Sequence, residues 1–94
     1  MSTYILTIDT YFSRPNVGTV LLPHLDPDTS LPRDQPFDVE LRGAHGVAVW
    51  RAIARDSKIH EFVAGTRTRT FVELPEHPSF GLHGVEVWLP ELGE

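Results

Sequence analysis

Five histidines (His24, His45, His60, His77 and His83) are the first residues to weigh for chemistry. A zinc site takes imidazole, thiolate or carboxylate ligands held tetrahedrally. Cysteine is absent, no helical His-Glu-x-x-His occurs, and no two histidines stand two apart on a strand face. A metal site would have to assemble from distant loops. His77 and His83 flank Pro78-Ser79-Phe80-Gly81-Leu82 and could meet across that loop, which makes them the best metal pair. Hydrolysis needs a nucleophile, a base and an orienting group held together. Ser13, Ser57 and Ser79 have a His or Asp near them in sequence, but no G-x-S-x-G turn is present. His60 and Glu61 are neighbours, and on a strand they point to opposite faces. No glycine is followed by Lys, so a phosphate-binding loop is missing. The expectation is a non-catalytic chain with no catalytic residue, no metal and no cofactor.

Binding is the better prospect. Arg67 and Arg69 share one face of a strand, with Thr68 and Thr70 on the other, and Arg51 is a third candidate for the same place. Two aligned guanidiniums can clamp a carboxylate or a phosphate. The competing use is cross-strand pairing with Glu40, Glu73 or Glu86. Trp88 alternates with Val87 and Leu89 and should point away from them, to be covered by a loop or offered to a partner. Phe80, in a Pro/Gly loop, is a second aromatic contact candidate. Trp50 sits in an apolar run and reads as core. The expected contact set is Trp88, Phe80, Arg51, Arg67 and Arg69.

The elements that must position these residues are strands. Phe37, Val39 and Leu41 alternate with Asp38, Glu40 and Arg42, and Val85, Val87 and Leu89 alternate with Glu86 and Trp88. Both runs have the period of two of a half-buried strand. Tyr4, Leu6 and Ile8 follow it less purely. Residues 47–54 are apolar enough for a buried strand, although residues 51–55 would also suit one helical turn. Residues 67–72 are rich in Thr, Phe and Val, as strands are. Turns are expected at 43–46, 55–58, 64–66 and 75–78. Residues 23–36 carry four prolines with Asp26, Asp28 and Asp34, which reads as a long extended loop. The fold class is therefore all-β: one domain over residues 1–94, built as a small six- to seven-stranded barrel, closed or partly open. The expected core is Leu6, Ile8, Val20, Leu22, Val39, Leu41, Val47, Val49, Phe62, Val72, Leu74, Val85 and Val87.

Size and charge bound the function. A chain of 94 residues buries roughly 60–65% of the surface its unfolded form exposes, so the core is small. The absence of cysteine fits a reducing compartment. The short apolar run at the start has no basic flank and is broken by Asp9, unlike a signal peptide or a membrane span, so a cytoplasmic setting without membrane contact is expected. Net charge is −5, distributed as −4 over residues 1–41, +4 over 42–72 and −5 over 73–94. Net negative charge disfavours nucleic acid, while the positive centre leaves a local patch possible.

One further signal lies in Ile8, Asp9, Tyr11, Phe12, Gly18 and Val20. Their spacing resembles the opening hairpin of the β-barrel domain that follows the nucleotide domain in translational GTPases such as elongation factor Tu. Phe37-Asp38-Val39-Glu40-Leu41-Arg42 is similar to a later strand of that barrel, and Gly84-Val85-Glu86-Val87-Trp88 resembles the final strand in small stand-alone proteins of this kind. The chain departs where Asn16 replaces the first turn glycine, where Arg14 and Val17 replace a hydrophobic and a basic residue, and where Gln35-Pro36 replaces Gly-Asp. The resemblance implies a stand-alone barrel that binds a protein partner as an adaptor or modulator. The alternatives are an RNA- or ribosome-associated accessory factor, or an acidic immunity protein that inhibits a basic toxin.

Overall fold

The computed structural model of the chain describes residues 2–63 and 65–90. Seven strands follow in order: β1 (Thr3–Thr7), β2 (Thr10–Arg14), β3 (Gly18–Leu25), β4 (Pro36–Gly43), β5 (Gly46–Glu61), β6 (Gly65–Leu74) and β7 (Glu86–Leu89). No helix occurs among the described residues, and so none is long and apolar enough to cross a membrane. All strands join one antiparallel sheet in the order β1-β7-β4-β5-β6-β3-β2.

Strand pairing does not close this sheet: β1 and β2 stand at its two ends. Those ends are nevertheless consecutive in the chain, joined only by Ile8 and Asp9. The step from Thr7 to Thr10 spans at most about 11 Å of extended chain, so the sheet must curl until its ends meet there. The linker is bonded on both sides. Ile8 N–H donates to the Val85 carbonyl (2.8 Å), Gly84 N–H donates to the Ile8 carbonyl (2.8 Å), and Asp9 N–H donates to the Leu22 carbonyl (2.9 Å).

The inner face holds the core. Cross-strand partners Leu6, Val87, Leu41 and Ala48 form one inward row, and Leu21, Val72 and Ala54 another. Leu41 and Leu74 are fully buried, and burial of such a side chain contributes about 1.5–3 kcal/mol. Ile8, Leu82 and Val85 pack into the same cluster. Pro23, which has no N–H for a ladder, sits where the β3–β6 register shifts.

The turns show the local chemistry. Pro15-Asn16-Val17 links the paired residues Arg14 and Gly18, and Asn16 takes φ 64°, which Asn tolerates best among non-glycine residues. Gly18 has φ 112°, and a Cβ there would stand 2.3 Å from the Leu74 carbonyl oxygen. Only glycine lets β3 pass the end of β6 so closely. Ala44-His45 connects the paired glycines 43 and 46 in a two-residue hairpin turn.

Several expectations need correction. Val47 and Val49 are 63% and 64% exposed, and Phe62 is 100% exposed. Residues 47–54 are apolar on both faces, so periodicity alone does not say which face turns inward. Pairing with β4 decides it, because the inward Val39 and Leu41 stand opposite Trp50 and Ala48. Leu22 is only half-buried, whereas both Val20 and Leu21 are buried. Residues 55–58 are not a turn and 51–55 not a helical turn, because β5 runs unbroken through both. Neither Gly nor Pro interrupts residues 47–61. Arg55 and Asp56 are polar because they pair with Glu73 and Thr70, and Ser57 and Lys58 because they open an exposed two-stranded arm. The turn expected at 64–66 includes Ala64, which lies outside the described residues. Irregular chain between β3 and β4 is shorter than expected, covering residues 26–35.

Candidate functional site

Arg33 orders the segment between β3 and β4. Its Nη2 donates to the Pro27 carbonyl (2.9 Å) and the Thr29 carbonyl (3.0 Å), and its Nη1 donates to the Leu31 carbonyl. Its Nε donates to Asp56 Oδ1 at 3.0 Å. The buried Thr70 hydroxyl donates to the same oxygen at 2.6 Å. The Thr70 hydrogen bond, and after it the Arg33 bond and charge, hold the Asp56 carboxyl below its ordinary value of 3.8. Three side chains thus tie the loop to β5 and β6. Arg33 takes three of its backbone carbonyls and so props the loop from within.

The three arginines expected to act together are not brought together. Arg51 lies eight residues along β5 from Ile59, the residue opposite Arg67. That is about 26 Å at the rise of a strand. Arg51 Nε bonds Asp38 at 3.2 Å. Arg67 Nη1 meets Glu61 at 3.1 Å, out of hydrogen-bond alignment, as an ion pair alone. Arg69 Nε donates to His24 Nδ1 at 3.0 Å. Other cations pair as well: Arg55 with Glu73 (2.9 Å) and Arg42 with Glu40 (2.6 Å). An exposed pair such as Arg51 with Asp38 contributes about 0–1 kcal/mol, whereas Glu73 is buried beneath Arg55. Cross-strand and near-neighbour pairing is what these side chains do in the free protein.

The aromatic candidates are partly occupied too. Trp88 points outward, as its alternation requires, with the Tyr4 ring edge-on at 5.4 Å and the Arg42 guanidinium 4.2 Å from its centroid. Its Nε1 donates to Glu86 at 2.9 Å. Phe80 stacks on His45 at 3.7 Å and meets Trp50 edge-on at 6.0 Å. Trp50 is half-buried, and its Nε1 donates to the Glu76 carbonyl at 2.7 Å. Trp50 and Phe80 thereby pack against the core cluster.

His77 and His83 do converge, but on Tyr11. Their ring centroids lie 5.5 and 5.4 Å from the tyrosine ring. His77 Nδ1 bonds the Thr19 hydroxyl at 2.8 Å, and His83 Nδ1 bonds the Asp9 carbonyl at 3.0 Å. No group of three metal-ligating side chains forms among the described residues. A shallow cleft of about 170 Å³ opens on the outer face, floored by Val20 and Glu73 and walled by Phe12, Phe71 and Arg55. It is well under the roughly 300–1,000 Å³ of a small-molecule site.

The most exposed apolar group is one that periodicity placed inside. Pairing of β5 with β4 ends at Ile53, and pairing of β6 with β3 ends at Thr70. Beyond those points residues 57–61 and 65–69 pair only with each other. They form a two-stranded arm, with Phe62 (100% exposed) and Val63 (96%) at its tip. Lys58, Glu61, Arg67 and Arg69 leave residues 57–69 at +2 on a chain of net −5. The only sequence signal for this arm was the missing break between 47 and 61. Compared with protein-family models, curated proteins and solved structures, the chain finds no match.

Proposed function

We propose that the chain is a non-catalytic protein-binding module. Its β5–β6 arm inserts Phe62 and Val63 into an apolar pocket of a partner protein. The observation that carries this reading is the pair of side chains left bare at the end of a two-stranded arm. Soluble proteins seldom leave large apolar groups so exposed at a projecting position without a use for them. An aromatic anchor seated in a pocket is the usual core of a binding hot spot. The body of the module is a curled sheet of the kind found in the barrel domain of translation factors. The meeting of β1 and β2 at Ile8-Asp9 supports that likeness. The arm's own charge of +2 favours an acidic rim immediately around that pocket, and the acidic body favours basic surface farther out on the partner, as an adaptor, modulator or inhibitor would meet.

RNA contact through Arg67 and Arg69 has less support, because Glu61 and His24 already engage them. The test is affinity capture from the native host, using the wild-type chain and a Phe62→Ser/Val63→Ser variant, followed by titration of the purified captured protein. The variant should keep the wild-type circular-dichroism spectrum and lose about 30-fold or more in affinity, as expected for a hot-spot anchor. Capture of RNA with a steep salt dependence, unaffected by the variant, would replace this reading with the RNA one.

A further inference from the structure

We infer that the other end of β5 is a strand-pairing edge for a second copy of this chain, a site separate from the arm. β6 pairs with β5 only from Ile53 onward. Residues 46–52 of β5 therefore have β4 on one side and no paired strand on the other among the described residues. Such an edge presents a row of free N–H and C=O groups, which proteins usually blunt with charge, proline or a bulge. Here the outward side chains are Val47, Val49 and Arg51, with no proline and no bulge in the β4–β5 register. Both valines are more than half exposed. The single charge is neutralised by Asp38 at 3.2 Å.

The strip is self-complementary, and this selects the occupant. A two-fold contact places the same patch on both sides. Antiparallel pairing centred on Val49 sets Val49 against Val49 of the second copy. It sets Val47 against Arg51 of the second copy, so the two arginines never face each other. β-branched residues in direct opposition are favourable in antiparallel pairs, and like charges are not. The same pairing extends an existing row. Tyr4, Trp88, Glu40 and Val49 already lie opposite one another across β1, β7, β4 and β5. The second copy would continue that row in reverse order across a sheet spanning both molecules. Trp88, singled out as a contact residue, then stands two strands from the two-fold axis and supports the interface rather than forming it.

Sedimentation equilibrium on the full chain tests this. Amide hydrogen exchange supplies the location. The wild type should dimerise, and the dimer should tighten with added salt, because screening reduces repulsion between two chains of net −5. Val49→Lys, at a position open to solvent, should keep the fold and weaken the dimer by more than about tenfold, through lysines opposed at the axis. Thr10→Lys on the β2 edge should leave the dimer unchanged. Amides within residues 46–52 should exchange more slowly in the dimer than in dilute monomer. Any of three results would overturn the proposal: a wild type monomeric at every concentration, a dimer indifferent to Val49→Lys, or a dimer broken by Thr10→Lys. Protection of residues 46–52 only upon addition of a different protein counts with the first.

Discussion

Asp56 shows how one carboxylate can fasten a loop. Its folded-state pKa lies below the ordinary value because the Thr70 hydroxyl and then Arg33 favour the charged form. A carboxyl depressed in this way stabilises the fold fully above its ordinary value of 3.8. The contribution disappears as pH falls through the lower, folded value. Asp56→Asn imitates the protonated group, so its denaturant midpoint should fall below that of the wild type near neutral pH. The gap should close as both are acidified to about pH 2. A gap that persisted unchanged in acid would mean that size or geometry, and not charge, is what Asp56 contributes. Nothing in the local sequence announces this centre, because Arg33, Asp56 and Thr70 are 14 to 37 residues apart. The contact candidates fared similarly. The outward direction of Trp88 was legible from its alternation with Val87, but its cover by Tyr4 and Arg42 depends on strands far away in sequence.

Among the elements, β4 is readable because only one of its faces is apolar. Alternation in residues 37–42 assigns Val39 and Leu41 to the core directly. β5 was not readable in that way. It serves three roles along 16 residues: an edge with valines outward, a buried central span through Ala52 and Ala54, and an arm wetted on both faces. A single periodicity cannot describe all three. The contrast between its faces has a direct consequence for stability. Leu41→Ala should destabilise the protein by about 2–5 kcal/mol, as a core cavity does. Val49→Ala should change stability by no more than about 0.5 kcal/mol, as exposed substitutions do. Urea denaturation of the two variants checks this, and equal losses would place Val49 inside and overturn the β4–β5 register. That element-scale assignment underlies both the bare edge and the bare arm.

For the whole molecule, the decisive feature is that neighbours in sequence lie at opposite ends of the sheet. β1 and β2 flank Ile8-Asp9, yet β1 pairs with β7 and β2 pairs with β3. Within this sheet β6 pairs with β5 only from Ile53 onward, leaving the start of β5 without it, and the β5–β6 pair runs past the ends of β3 and β4. Both proposed contact surfaces follow from it. Cross-strand proton contacts measured by nuclear magnetic resonance on the free chain address it most directly. The account predicts backbone contacts of Tyr4 with Trp88, Leu41 with Val87, and Ile53 with Glu73, and none between facing residues of β1 and β2. A hairpin of β1 against β2 would contradict the strand order, and with it the edge and the arm from which binding has been argued.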